Sequence, residues 1–134
     1  MIYLDACALL KFVKPEKESV ALRAWRQELA RRSELVTSEL AQLEIARTLL
    51  RSGVDHQRVP YVTEQALSGI YLADLSSTVL ARARAYRTPR LGSLDAIHLA
   101  SAEAFRDELT DFVTYDRELV EAATELGLPV AAPT

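Results

Sequence analysis

The chain has 134 residues, 49% hydrophobic and 26% charged, with four glycines and five prolines; this is the profile of a single globular domain spanning 1–134, and it excludes a disordered or fibrous chain. A formal net charge of -3 excludes a bulk-basic nucleic-acid binder, so any RNA affinity must come from local basic patches or bound cations. The lone cysteine, Cys7, excludes an internal disulfide and suits a reducing cytoplasm, while no apolar stretch approaches the ~18 residues of a membrane span.

Ile2 to Leu4 is a short apolar run ending in Asp5, which predicts a buried strand followed by a turn, with no basic leader before it. Ala6 to Val13 is a short helix candidate closed by Lys14-Pro15, because the residue before a proline avoids the helical region. Glu16 to Arg32 reads as an amphipathic helix with Leu22, Trp25 and Leu29 on one face. Glu34 to Thr37 is a brief strand. Ser38 is a candidate cap for a helix to about Ser52, with Leu40, Leu43, Leu49 and Leu50 as its apolar side and Gly53 as its stop.

Gln57 to Leu67 predicts a short helix whose first turn is complicated by Pro60. Gly69 to Ala73 is a strand candidate and Leu75 to Arg87 a helix. After the loop Thr88 to Gly92, Ser93 caps a helix through about Arg106. Phe112 to Tyr115 predicts a strand, Asp116 caps a helix to Leu126, and a last strand falls near Val130. Strands alternating with helices argue for an α/β fold with a parallel sheet covered on both faces.

In such a sheet ligands gather at the carboxyl ends of the strands, where strand order reverses. Asp5 and Asp116 each stand where a strand ends and a helix begins. Aspartates are also favoured helix caps there, and both readings stay open. Asp95 lies in the first turn of its helix, on a mostly apolar stripe with His98, Leu99 and Ala102, where an unpartnered carboxylate is expensive. Glu44 is mid-helix with polar turn neighbours Arg47 and Thr48, and by itself reads as a solvated helix residue. If the four acids converge they repel, two unit charges ~4 Å apart costing about 4 kcal/mol at an effective dielectric near 20. A raised pKa or a bound cation offsets that cost, and all-oxygen ligation favours a hard ion such as Mg²⁺ or Mn²⁺.

Four segments resemble the PIN-domain family over essentially the whole length: Ile2-Tyr3-Leu4-Asp5-Ala6-Cys7-Ala8-Leu9-Leu10-Lys11, Thr37-Ser38-Glu39-Leu40-Ala41-Gln42-Leu43-Glu44, Leu94-Asp95-Ala96-Ile97-His98-Leu99-Ala100, and Val113-Thr114-Tyr115-Asp116. The resemblance implies a three-layer α/β/α fold with a five-stranded parallel sheet, and Asp5, Glu44, Asp95 and Asp116 as an acidic cluster around one or two divalent ions. PIN domains of this length are similar to VapC-type toxins, which implies a metal-dependent endoribonuclease restrained by a cognate antitoxin and commonly a homodimer. Asp5, Asp95 and Asp116 would hold the principal Mg²⁺ or Mn²⁺, with Glu44 orienting water or supporting a second ion, and the expected products carry a 5′-phosphate and a 3′-hydroxyl. Thr114 matches the family's hydroxyl two residues before the last aspartate and is a candidate supporting residue. Cys7 departs from the usual Ser or Thr two residues after the first.

Among the remaining residues, His98 fits a structural role, with substrate contact as the alternative, and His56 fits the surface. Cys7 reads as a small core residue rather than a nucleophile, since no motif places a base beside it. Arg82, Arg84, Arg87 and Arg90 form the densest basic stretch, either a solvated helix face or, with help from the loop, a phosphate-binding patch. Lys11 and Lys14 are alternative RNA contacts. Trp25 fits the core, or an antitoxin anchor if exposed.

Other α/β enzymes with an aspartate after the first strand fit less well. Haloacid-dehalogenase-like phosphatases need a second aspartate where Cys7 stands, receiver domains need an acidic pair and a late lysine, and dinucleotide binding needs glycines where the turn reads Ala6-Cys7-Ala8. The alternative function is a non-catalytic PIN-like module that binds RNA or protein, against which the full set of four acids argues.

Overall fold

The central strand of the molecule is also its first: β1 (Ile2–Leu4) is buried along its whole length. In the computed structural model, which describes residues 1–134, it is flanked in parallel by β2 (Leu35–Ser38) and β4 (Asp111–Val113). Outside these lie β3 (Ile70–Ala73) and β5 (Val130–Ala131), giving one parallel sheet in the order β3-β2-β1-β4-β5. Ile2 pairs in register with Leu35 on one side and Asp111 on the other. Strands covered on both faces carry near-continuous apolar runs, as Ile2-Tyr3-Leu4 does.

Seven helices cover the sheet: α1 (Ala6–Leu10), α2 (Ser19–Glu28), α3 (Leu40–Arg51), α4 (Val59–Ala66), α5 (Ser77–Ala85), α6 (Ser93–Glu103) and α7 (Arg117–Glu125). The period-two alternation of strand side chains sorts them into two layers. Ile2, Leu4, Leu35 and Val113 pack with Leu9, Leu22, Ile45, Leu49 and Val62 from α1 to α4. Tyr3, Val36 and Phe112 face the other way, onto Leu99 of α6 and Leu119 and Ala123 of α7, while α5 rests on α6. This is the expected three-layer α/β/α architecture.

Several boundaries and one face differ from expectation. Helix α1 ends at Leu10 because the amides of Phe12 and Val13 bond three residues back, to Leu9 and Leu10, tightening the chain into turns ahead of Pro15. Helix α2 starts at Ser19 rather than Glu16, since the Ser19 hydroxyl accepts from the Glu16 amide at 2.9 Å and holds that stretch as a turn. It ends when Leu29 turns extended, leaving Arg31 and Arg32 beyond the helix. Pro60 sits in the first turn of α4, where its missing N–H costs nothing. Gly92, not Ser93, occupies the cap position of α6, and β4 stops at Val113. On α3 the buried stripe is Ala41, Ile45 and Leu49, whereas Leu43 and Leu50 are 60% and 41% exposed; the leucines expected on its apolar side are divided between core and surface. Gly53 follows α3 with φ +91°, a conformation that favours glycine.

Candidate active site

From β1 the sheet grows to β2 and β3 on one side and to β4 and β5 on the other. The reversal falls between β1 and β4, so their carboxyl ends border the crevice that open α/β sheets use for ligands. Asp5 directly follows β1 and Asp116 follows β4 after Thr114 and Tyr115. Asp5 is 3% exposed. Its Oδ1 caps α1 by accepting from the Ala8 amide at 2.8 Å, and its Oδ2 accepts from the Thr114 hydroxyl at 2.5 Å. The Thr114 oxygen in turn accepts from the Asp116 amide at 3.2 Å, and Asp116 Oδ1 caps α7 at the Leu119 amide, 2.9 Å away. Thr114 thus ties the two acid-bearing strand ends together. Asp5 and Asp116 are caps, as one reading of the sequence had it, and they also flank the crevice.

Glu44 reaches the same region from α3 and Asp95 from the first turn of α6. Glu44 is not a freely solvated side chain. Its Oε1 lies 2.6 Å from His98 Nε2, and the opposite ring nitrogen of His98 lies 2.7 Å from the Tyr3 hydroxyl. The Tyr3 oxygen accepts from the Ser38 amide at 3.1 Å. His98 is 1% and Tyr3 0% exposed.

The acids sense one another. Burial pushes the Asp5 carboxyl above its ordinary value, with the Thr114 hydroxyl opposing most strongly and the charge of Glu44 adding a little. The Asp95 carboxyl is pushed up to about 6, first by burial and then by the charges of Asp116 and Asp5, with Glu44 adding and His98 opposing. None of the four is paired with a lysine or arginine; the ion pairs of Lys11, Arg82 and Arg106 go to Glu16, Glu18 and Glu103. Nor are three of them drawn close enough to grip one ion as they stand. Asp5, Glu44 and Asp116 each have an oxygen anchored to a protein donor. Hard oxygen donors with no cationic side chain paired to them, one of them raised first by burial and then by its acidic neighbours, fit a divalent cation.

Cys7 is exposed, so it is not the core residue the sequence suggested. Its thiol is pushed up to about 11 by burial of its sulfur and then by all four acids, which places it at the crevice and makes it a poor nucleophile. Lys11 is buried and held at 2.9 Å by both Glu16 and Glu18, which removes it as a free RNA contact. Lys14 is half-buried and bonds Ser52 at 3.1 Å. Trp25 packs against the core, and His56 is on the surface. The largest groove, about 700 Å³, is lined by Phe12, Val13, Arg23, Arg26, Gln27 and Gln65, with none of the four acids. Glu44 lines a smaller one of about 220 Å³ with Leu43, Arg47, Arg51 and Leu94 among its walls.

The PIN domain profile matches residues 2–125 of this chain. The chain belongs to the PIN-domain family. Ribonuclease VapC47 of Mycobacterium tuberculosis is 38% identical over 137 aligned positions, covering 99% of this chain and 97% of that protein. Among solved PIN structures, the chain is similar to VapBC2 from Rickettsia felis bound to a promoter DNA fragment, with a TM-score of 0.77 at 16% identity and full coverage of both chains. It is similar also to M. tuberculosis VapC20, a toxin that cleaves the sarcin–ricin loop, with a TM-score of 0.72 at 12% identity over 91% of this chain and 95% of that one. The PIN fold accounts for the sheet order and for the crevice at its switch point.

Tyr3 was missed as a site residue and His98 was read as structural. The sequence signal was present in weak form: Tyr3 is two residues before Asp5 on one strand, and His98 is one turn after Asp95 on one helix. Both have a polar tip at a position that should be apolar.

Proposed function

We propose that this chain is a divalent-metal-dependent endoribonuclease acting as the toxin of a toxin–antitoxin pair, with Asp5, Glu44, Asp95 and Asp116 as its catalytic acids. What supports the reading most is the crevice itself: Asp5 and Asp116 border it at the switch point, Asp95 feels the charges of Asp116, Asp5 and Glu44, and no lysine or arginine is paired to any of the four. The 38% identity to a named ribonuclease over nearly the whole chain supports the choice of RNA.

Asp5, Asp95 and Asp116 would hold Mg²⁺ or Mn²⁺ directly or through water, and Glu44 would orient water or support a second ion. When bound, such an ion helps to ionise the attacking water and offsets charge on the phosphate and the leaving oxygen. The chain contributes preorganisation. Thr114 keeps Asp5 and Asp116 in fixed relation, and the bond from His98 engages Glu44 Oε1, so that Oε2 would be the oxygen offered to an ion or its water. Each anchored oxygen still has a lone pair for a ligand.

The likeness to a VapBC complex supports an antitoxin partner. Exposed Leu43 and Leu94 line one groove with Glu44 and put apolar surface there, of the kind a subunit interface covers, which supports a homodimer. Acting on cellular RNA, the chain would work in the cytoplasm; no helix is long and apolar enough to cross a membrane.

The test is cleavage of total RNA by purified wild type and Asp95→Asn with Mg²⁺ or Mn²⁺ and with chelator. Metal-dependent cleavage lost in Asp95→Asn is the expected result. Equal cleavage by both proteins would refute the assigned site.

A further inference from the structure

The bonds around Glu44 have a direction. The Ser38 amide can only donate, so the Tyr3 oxygen accepts there, at 3.1 Å. A phenol keeps its proton at neutral pH. That proton is free to point at His98 Nδ1, 2.7 Å away. A carboxylate only accepts, so His98 Nε2 carries a proton and donates it to Glu44 Oε1 at 2.6 Å. The side chains of Ser101 and Thr37 also lie against the phenol, and the Tyr3 and His98 rings meet edge to face at 5.8 Å. The imidazole is therefore fixed in orientation.

The elements involved are those that carry the acids. Tyr3 precedes Asp5 by two residues and shares its side of β1, and His98 follows Asp95 by one turn of α6. Glu44 arrives on α3, from the opposite helical layer. The chain of bonds joins the layers beyond the end of β2 and sets where Glu44 stands relative to Asp5 and Asp95.

We propose that His98 is a positioning residue for Glu44: locked by Tyr3, it occupies Glu44 Oε1 permanently and presents Oε2 alone to the crevice, so that Glu44 serves the metal or its water through a single oxygen. This rests on the metal-ribonuclease reading above. Donors to a ligand's far side typically matter 10–100-fold in metal affinity or turnover.

The experiment combines Mn²⁺ titration calorimetry with RNA cleavage on the full chain for wild type, His98→Ala, His98→Gln, Glu44→Gln and the His98→Ala/Glu44→Gln double variant. His98→Ala is expected to lose about 10–100-fold in Mn²⁺ affinity and in kcat with KM for RNA little changed. His98→Gln, whose amide can still donate to Glu44, should recover most of both. If His98 acts through Glu44, the double variant is no worse than Glu44→Gln alone. Should His98→Ala fail to fold, Tyr3→Phe carries the test, with a loss of about tenfold expected in Mn²⁺ affinity. A folded His98→Ala, or failing that Tyr3→Phe, with wild-type affinity and turnover overturns the proposal, as do losses that multiply in the double variant. Both outcomes leave the ribonuclease reading intact, whereas wild type that neither binds Mn²⁺ nor cleaves RNA overturns the two together.

Discussion

Replacing Asp95 by asparagine should stabilise the metal-free protein while abolishing its activity. The Asp95 carboxyl is moved from 3.8 to about 6, burial being the largest cause and the Asp116 and Asp5 charges the next. At about 1.4 kcal/mol per pH unit, that gap sets a ceiling of about 3 kcal/mol on the cost of holding Asp95 ionised at neutral pH. Asp95 retains contact with solvent, and screening reduces the cost to about 1–2 kcal/mol. The sign follows from linkage. With its pKa raised on folding, Asp95 binds more protons in the native than in the unfolded state between about pH 4 and pH 6. Wild-type stability from this group is therefore full below pH 4 and falls as pH rises through 6. Asparagine has no such dependence. Thermal unfolding in chelator at pH 7.5 should place Asp95→Asn roughly 3–8 °C above wild type. The advantage should shrink by pH 4, where carboxyl and amide are both neutral. Saturating Mn²⁺ should reverse the order, since ligand at 100 times its Kd adds about 2.7 kcal/mol to the protein that binds it. An Asp95→Asn protein no more stable than wild type at pH 7.5 in chelator, or a gap that widens toward pH 4, would refute the argument that the crevice holds uncompensated charge.

Thr114→Val keeps the shape of the side chain but removes the donor to Asp5 and the acceptor for the Asp116 amide; urea denaturation should show a loss of about 1–3 kcal/mol, and Mn²⁺ affinity should fall with it. A smaller effect on both would mean that the two strand ends are held by other contacts. Cys7, with its thiol at about 11 despite an exposed position, should react with iodoacetamide at pH 7.5 roughly 100-fold more slowly than a free cysteine, as followed by mass spectrometry. Alkylation at the free-thiol rate would count against its placement among the four acids. In the homodimer proposed above, Leu43→Lys puts a charge at a leucine that is 60% exposed and should shift light-scattering mass from dimer to monomer at micromolar concentration; a variant dimer as stable as the wild type's would move the interface away from α3, and a monomeric wild type would refute the homodimer.

The order of strands and helices could be read from the chain because apolar runs, prolines and caps are local signals. The ends of α2 could not. Its start depends on where the Ser19 hydroxyl finds the Glu16 amide, and its end on Leu29 turning extended. The apolar side of α3 was half wrong for a different reason. Leucine marks both core and exposed apolar surface, and only the packing of Ala41, Ile45 and Leu49 on the sheet layer separates them. Cys7 was misplaced because one residue in the first turn of a five-residue helix carries no periodicity from which to judge its face.

Glu44 marks the limit of local reading most clearly. Its polar neighbours on α3 argue for solvent, and nothing within one turn argues otherwise. The group that orients it, His98, is 54 residues away in sequence, and the group that orients His98 is 95 residues further back, on the first strand. Asp5 and Asp116 show the complement. For them the cap and the ligand were weighed as alternatives, but capping is how the fold places a carboxylate beside others of its kind without losing it to solvent. An aspartate at a strand-to-helix junction has its backbone fixed by the strand, one oxygen fixed by the helix amides, and a lone pair left over. Several such junctions at one switch point bring charges together that would otherwise separate, and the helix N-termini offset part of their repulsion. Asp95, within the first turn of α6 rather than at its cap, lacks that anchoring amide; its carboxyl is pushed up, as that of Asp5 is, and in both burial is the largest cause.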